Sequence, residues 1–315
     1  MHIKLPIVIR KEKKEKKLEQ AIQRTYNPIT GEIYNEEKGL FLTDAELQRA
    51  QQEKERRKNY FEFTQQKQIL HIEIENILGQ FYFSHYKRLL KIIQNDTALA
   101  FRYLYICTYA DNDGRLIYKG KQMLHKDVVK LLNINRNTAL SNVNKMIEYG
   151  LLIEEKGLYS ANLQYYIRRK KLPEDFKKQS SRIFDNGIRT LYCESTARHH
   201  EILGEIVPLL EYINKYNNVV CTKETVEQRE FDKINPLTMK EICSICGRSI
   251  DNTDVFKKQL GKYKINGLPL FRGIIEDKKS IGYVFNPYIL YMGSRNDDLE
   301  FAFNLFDLKR KGKLK

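Results

Sequence analysis

The sequence predicts a mainly α protein with small β wings, in which one arrangement of three helices and a hairpin occurs twice. Three observations lead there. Apolar residues recur at helical spacing in several separate segments. Two of those segments are followed by paired apolar runs around a turn, the pattern of a hairpin. The turn before the third helix returns about 114 residues later, from Asn135 to Ser249, too long a period for a solenoid and suited to duplicated domains.

In the first copy, Phe81, Phe83, Tyr86, Leu89, Leu90 and Ile93 form a dense apolar segment. Asn95 and Asp96 offer a helix start, and Leu99, Tyr103, Ile106 and Ala110 follow at helical spacing. Asp111 to Gly114 read as a turn and Arg115 to Lys119 as a short strand. A second helix buries Val128, Val129, Leu131 and Leu132, and a third runs from about Arg136 to Tyr149, closed by Gly150. Leu151–Glu155 and Leu158–Asn162, joined by Lys156-Gly157, complete a hairpin. Three helices, the last two joined tightly, then a hairpin, is the order of a winged helix-turn-helix.

The second copy begins with Ile206, Leu209, Leu210 and Ile213 on one helix face. A short helix from Met239 to Cys246, a turn at Gly247-Arg248-Ser249 and a longer helix from Ile250 to Tyr263 follow. Leu268–Ile275 and Ile281–Phe285 form its hairpin. The expected organisation is a charged helical region over 1–75, a first winged helix over 76–167, a basic linker over 168–198, a second winged helix over 199–293 and a C-terminal segment over 294–315. Within the first region Thr43-Asp44-Ala45-Glu46 is a capping-box pattern, opening a helix to about Lys58 that is polar almost all round.

Composition narrows the function. Lysine and arginine number 55 against 40 acidic residues, a formal net charge of +15, which favours an anionic partner such as nucleic acid. A 42% hydrophobic content excludes a wholly disordered chain. No run approaches the roughly 20 apolar residues of a membrane span, and the N-terminus has its apolar stretch before its basic one, the reverse of a secretory signal. A cytoplasmic location with no membrane partner is therefore expected. The five scattered cysteines fit reduced thiols. The CxxC of Cys243 and Cys246, with Cys193, His199 and His200 upstream, matches none of the usual zinc spacings, so no metal and no cofactor are expected. Neither a GxxxxGK[ST] phosphate loop nor a GxGxxG turn occurs, and a non-enzymatic protein is expected.

A helix-turn-helix places its third helix in the major groove, so that helix needs an apolar inner face and short polar or basic residues outside. Ala139, Leu140, Val143, Met146 and Ile147 supply the inner stripe. Arg136, Asn137, Ser141, Asn142 and Lys145 are the candidate readers, since arginine pairs two-pronged with guanine and asparagine with adenine. Lys156 at the first wing tip is a candidate phosphate contact, and His125 a cap or phosphate contact. The second copy offers Asn252 and Lys258 on its third helix and Lys278 and Lys279 at its wing tip. That helix also carries Asp251 and Asp254, whose carboxylates disfavour phosphates and leave a dimer or partner interface open as its role. Lys11–Lys17, Arg168–Lys171 and Lys309–Lys315 are basic stretches suited to neutralising phosphates.

Phe81 to Ile167 resembles the winged-helix replication proteins of Firmicute plasmids and phages. The stretches that carry the resemblance are FYFSHYKRLLKII at 81–93, TYADNDGRLI at 108–117 and KDVVKLLNINRNTALSNVNKMIEYGLL at 126–152. YVFNPYILYMG, Tyr283 to Gly293, is similar to the ending of the wing in such proteins. The resemblance covers about two-thirds of the chain, and the acidic second recognition helix departs from it. It implies tandem winged helices binding repeated double-stranded DNA sites, in replication initiation or control, with host replication proteins and a homodimer as further partners. A phage or plasmid repressor using the same contacts is the alternative, and a structural adaptor binding other proteins is a third.

Overall fold

The computed structural model describes residues 33–35, 40–42, 44–93, 96–168, 172–265, 267–276, 279–293 and 296–307. They fall into two compact units, Met1–Ile72 and Glu73–Lys315. About half of the described residues are helical, with small antiparallel sheets and no barrel among them.

The first unit holds β1 (Ile33–Asn35), paired antiparallel with β2 (Leu40–Leu42), and most of α1 (Asp44–Leu78). The sequence places the end of this helix near Lys58, but it continues for five more turns. No glycine or proline interrupts 44–78, and straight-chain Gln, Glu, Lys and Arg dominate its first half. It stops where Gly79 takes a left-handed φ of 72°, the usual device for ending a helix. Residues 48–62 are exposed throughout, with Tyr60 and Phe61 among otherwise mostly polar side chains.

In the second unit, β3 (Phe81–Ser84) leads into α2 (Tyr86–Ile93) and α3 (Thr97–Cys107). Asp96 caps α3 by accepting from the Leu99 amide at 3.0 Å. Every residue of α3 from Leu99 to Cys107 is buried, so this is the central helix. β4 (Ile117–Tyr118) and β5 (Lys121–Gln122) form a hairpin before α4 (His125–Leu131) and α5 (Arg136–Glu148). β6 (Leu152–Glu155) and β7 (Leu158–Ala161) pair around the Lys156-Gly157 turn, and β8 (Tyr166–Ile167) follows. The segment before α4 joins this hairpin alongside β7. Leu116 donates to the Tyr159 carbonyl at 3.0 Å and Ala161 to that of Gly114 at 2.7 Å.

The chain continues through α6 (Glu174–Gln179), β9 (Ser181–Phe184), α7 (Asp185–Glu194), α8 (His199–Gly204) and α9 (Ile206–Leu209). The break between α8 and α9 has a local cause. Pro208 has no amide hydrogen and its ring opposes the carbonyl four residues back, at Gly204, where α8 ends. Then come β10 (Val219–Val220), α10 (Met239–Ile245), α11 (Thr253–Leu260), β11 (Lys264–Ile265), β12 (Leu268–Pro269), β13 (Phe271–Glu276), β14 (Lys279–Phe285), β15 (Leu290–Tyr291) and α12 (Asn296–Asp307). β10 pairs with β14 and β14 with β13, so the strand before α10 lies beside the second strand of its hairpin, as in the first copy. The third helix of this copy is shorter than the predicted Ile250–Tyr263, because Ile250–Asn252 forms a 3-10 turn and Gly261-Lys262 a turn at the far end.

Residues 172–198, which the sequence assigns to a basic linker, are folded. Pro173 caps α6 rather than breaking the chain, and all four β9 residues are buried. β9 lies in the middle of a four-stranded sheet of order β15-β9-β3-β8. Phe81 faces Phe184 and Ser84 faces Ser181, so the two central strands pair antiparallel along their full length. β3 and β8 thus flank the segment that holds α2 to β7, and β9 and β15 flank the segment that holds α7 to β14. A single hydrophobic core runs through both, from Leu89, Phe101 and Val143 to Leu209, Ile242 and Phe285. The two-residue strands β8 and β15 and the fully buried β9 show no period-2 alternation, which is why they escape a pattern reading.

Candidate nucleic-acid interface

α5 begins at Asn135, whose side-chain oxygen accepts from the Asn137 amide at 3.0 Å. Ala139, Val143 and Met146 are buried beneath it, with Leu140 and Ile147 half-buried at the margin. With 3.6 residues per turn, Asn137, Ser141 and Asn144 share the centre of the opposite face, and all three are exposed. Arg136 is exposed at the first turn. Asn144 was not among the sequence candidates, although its spacing of seven from Asn137 marks the same face.

Asn142 is corrected. It is 7% exposed, its side-chain oxygen accepts from Arg102 Nη1 at 2.9 Å, and its amide nitrogen donates to the Thr138 carbonyl at 2.6 Å. A side chain with both ends bonded inside the fold cannot meet a base edge. Lys145 is exposed but pairs with Asp96 at 3.0 Å, and the hydrogen bond and charge of that carboxylate raise its pKa. Its charge is therefore partly cancelled.

The partner of Asn142 is the residue the sequence does not reveal. Arg102 sits in the buried helix α3 and is itself 7% exposed. Its guanidinium donates to Asn142 on α5, to His200 Nδ1 on α8 at 3.3 Å and to the Ala197 carbonyl at 3.2 Å. This places α5 in a fixed relation to the start of the second copy. His200 packs against Tyr192, with ring centroids 4.2 Å apart. Burial, followed by the nearby Arg102 charge, pulls the His200 pKa down to about 4, so the ring is neutral at pH 7.

At the first hairpin tip Lys156 is exposed at φ 53° beside Gly157 at φ 77°. His125 opens α4, but its Nδ1 lies 2.7 Å from the hydroxyl of Tyr159, which also donates to Glu154. That ring is held within the hairpin rather than left for phosphate.

In the second copy Asn252 and Lys258 are exposed, and so are Asp251, Asp254 and the apolar Ile250 and Val255. Lys257 is exposed as well, so this surface carries charges of both signs beside two apolar side chains, where the outer face of α5 centres on Asn137, Ser141 and Asn144. Lys279 opens β14 opposite Glu276, while Lys278 lies outside the described residues. Lys11–Lys17 and Lys309–Lys315 lie outside them too. Of the central basic cluster only Arg168 is described, and it is corrected. Its side chain is 10% exposed, bound two-pronged to Asp185 at 2.9 and 3.0 Å, and it donates to the Ala110 carbonyl at 3.0 Å. It is not available to a phosphate.

Cys243 Sγ donates to the Ser249 carbonyl and Cys246 Sγ to that of Glu205, both at 3.4 Å. Burial pushes the Cys246 thiol up, which disfavours the thiolate a metal needs. Among the described residues no group of three His, Cys, Asp or Glu side chains could hold a metal, and no helix is long and apolar enough to cross a membrane. Comparison with protein-family models, curated proteins and solved structures finds no match for this chain.

Proposed function

We propose that this chain binds double-stranded DNA sequence-specifically through two winged-helix units, with α5 as the principal reader. The observation that carries the reading is the outer face of α5. Asn137, Ser141 and Asn144 stand in register over a buried stripe, with Arg136 at the leading turn and a lysine-tipped hairpin following. Asparagine suits adenine and arginine suits guanine in the major groove, while Lys156 suits the flanking phosphates. The repeated strand order around both hairpins supports a tandem arrangement. The exposed Ile250 and Val255 and the carboxylates of Asp251 and Asp254 fit a supporting role for this region better than a second reading of bases. The role we assign is replication initiation or control on a plasmid or phage, through repeated sites.

Arg136→Ala and Asn137→Ala should each weaken binding to the selected site by about 1–3 kcal/mol and relax the preference at one base pair. Neither contributes to the buried stripe, so thermal stability should be unchanged. Lys156→Gln should weaken specific and non-specific duplexes alike and reduce the log-log salt slope by about 0.9. Titration of labelled duplexes measures all three, and normal site affinity in both α5 variants overturns the assignment.

A further inference from the structure

The β4–β5 hairpin interrupts the strand that pairs with β7. The chain leaves that strand after Leu116 and rejoins it at Met123, whose amide donates back to the Leu116 carbonyl at 2.8 Å. The fold does not need this excursion to complete its sheet. Its turn is Lys119-Gly120, with φ of 51° and 77°. Two-residue hairpin turns of this kind favour Asn-Gly, because asparagine tolerates the left-handed region and lysine resists it. A lysine kept there, at the cost of backbone strain, points to a use for its charge.

The surroundings indicate what that use is. Tyr118 is 46% exposed at the base of the turn, and Lys121 faces it directly across the hairpin. The Lys119 ammonium lies 5.4 Å from the Tyr118 ring centre. Behind Tyr118 stands a line of rings that restrains it. Tyr109 meets it edge-on at 6.0 Å and is itself covered by the Arg189 guanidinium at 4.3 Å. The Tyr109 hydroxyl lies 3.2 Å from that of Tyr105, whose ring stacks on Tyr192 at 3.6 Å. An exposed aromatic ring held in place by other rings, with one lysine ammonium over it and a second lysine paired with it across the hairpin, matches the requirements for binding an unpaired strand. The ring stacks a base and the lysines hold the neighbouring phosphates. A duplex offers phosphates but no open base face, so it would use the lysines and leave the tyrosine idle.

We propose that the β4–β5 hairpin is a binding site for single-stranded nucleic acid, with Tyr118 as the stacking platform and Lys119 and Lys121 as its phosphate contacts. It is separate from duplex reading by α5 and does not require it. The site takes unpaired nucleotides with little base preference, because every base has a π face.

The test uses the full chain with fluorescein-labelled oligo(dT) and oligo(U) 15-mers and a mixed-sequence duplex of equal length. Tyr118→Ser should weaken binding of one or both single strands by about five- to hundredfold, while Tyr118→Phe should retain it. Lys119→Asn separates the proposal from a structural role. Asparagine relieves the turn, so the melting temperature should hold or rise, while single-strand affinity falls and its log-log salt slope drops by about 0.7. Duplex affinity should be unchanged by either tyrosine variant. A stronger loss on oligo(dT) than on oligo(U) assigns the site to DNA, and the reverse assigns it to RNA. Wild-type affinity for both single strands in Tyr118→Ser overturns the proposal, as does an equal loss on single strand and duplex, or no binding of either oligonucleotide by the wild-type chain.

Discussion

Asp185→Ala should destabilise the chain by about 3–5 kcal/mol, the largest single-residue effect we expect from its polar groups. The carboxylate is 5% exposed and accepts both arms of Arg168. Burial pushes its pKa up and the Arg168 hydrogen bonds and charge oppose that shift. Removing it leaves a buried guanidinium with no counter-charge, and the energy lost is chiefly the cost of that uncompensated cation. The pair also ties the first copy to the second. Arg168 follows β8 and reaches the carbonyl of Ala110 beyond α3, while Asp185 opens α7. Urea unfolding of the wild type, Asp185→Ala and Asp185→Asn measures the effect. A midpoint for Asp185→Ala within error of the wild type would show that the pair is not stabilising.

Acid should remove about 3 kcal/mol of stability through His200 alone. The folded-state pKa of about 4 lies below the ordinary value of 6.5. Between those values the unfolded chain binds a proton that the folded chain refuses. Stability is therefore intact above pH 6.5 and is lost progressively as pH falls towards 4. The ring has no room to accept the charge, because Arg102 already points a guanidinium at Nδ1 and Tyr192 and Phe101 cover its faces. Asp185 and Glu205 work in the opposite direction, since burial raises both above the usual carboxylate range. Comparison with His200→Gln isolates the histidine contribution, because glutamine offers Arg102 an acceptor and does not titrate. The wild type should lose stability more steeply than the variant between pH 6.5 and 4, and parallel profiles would contradict this account.

The helices and hairpins were legible because they are long enough to show a period. α5 and its stop at Gly150 fall where spacing and turn residues put them, and so does the Lys156-Gly157 hairpin. What was illegible depends on contacts between distant residues. In the four-stranded sheet, β8, β9 and β15 show no period-2 alternation. Asn142 reads as one more polar residue on a helix until Arg102, forty residues earlier, is brought against it. Arg168 begins a run of four basic residues and looks like its neighbours, yet Asp185 removes it from the surface. α1 runs past Lys58 because neither glycine nor proline interrupts 59–78, and it ends only at Gly79. Of the candidate site, Arg136, Asn137, Ser141, Lys145, Lys156, Asn252 and Lys258 are exposed as a contact surface requires.

The most direct test of the central claim is selection of bound duplexes from random-sequence DNA by the full chain, followed by titration of the enriched sequence from 50 mM to 300 mM salt. The account predicts one enriched sequence and a log-log slope of about −0.9 for each phosphate neutralised. It also predicts that Asn137→Ala will select a sequence relaxed at one position. Recovery of no preferred sequence, with affinity independent of salt, would contradict it.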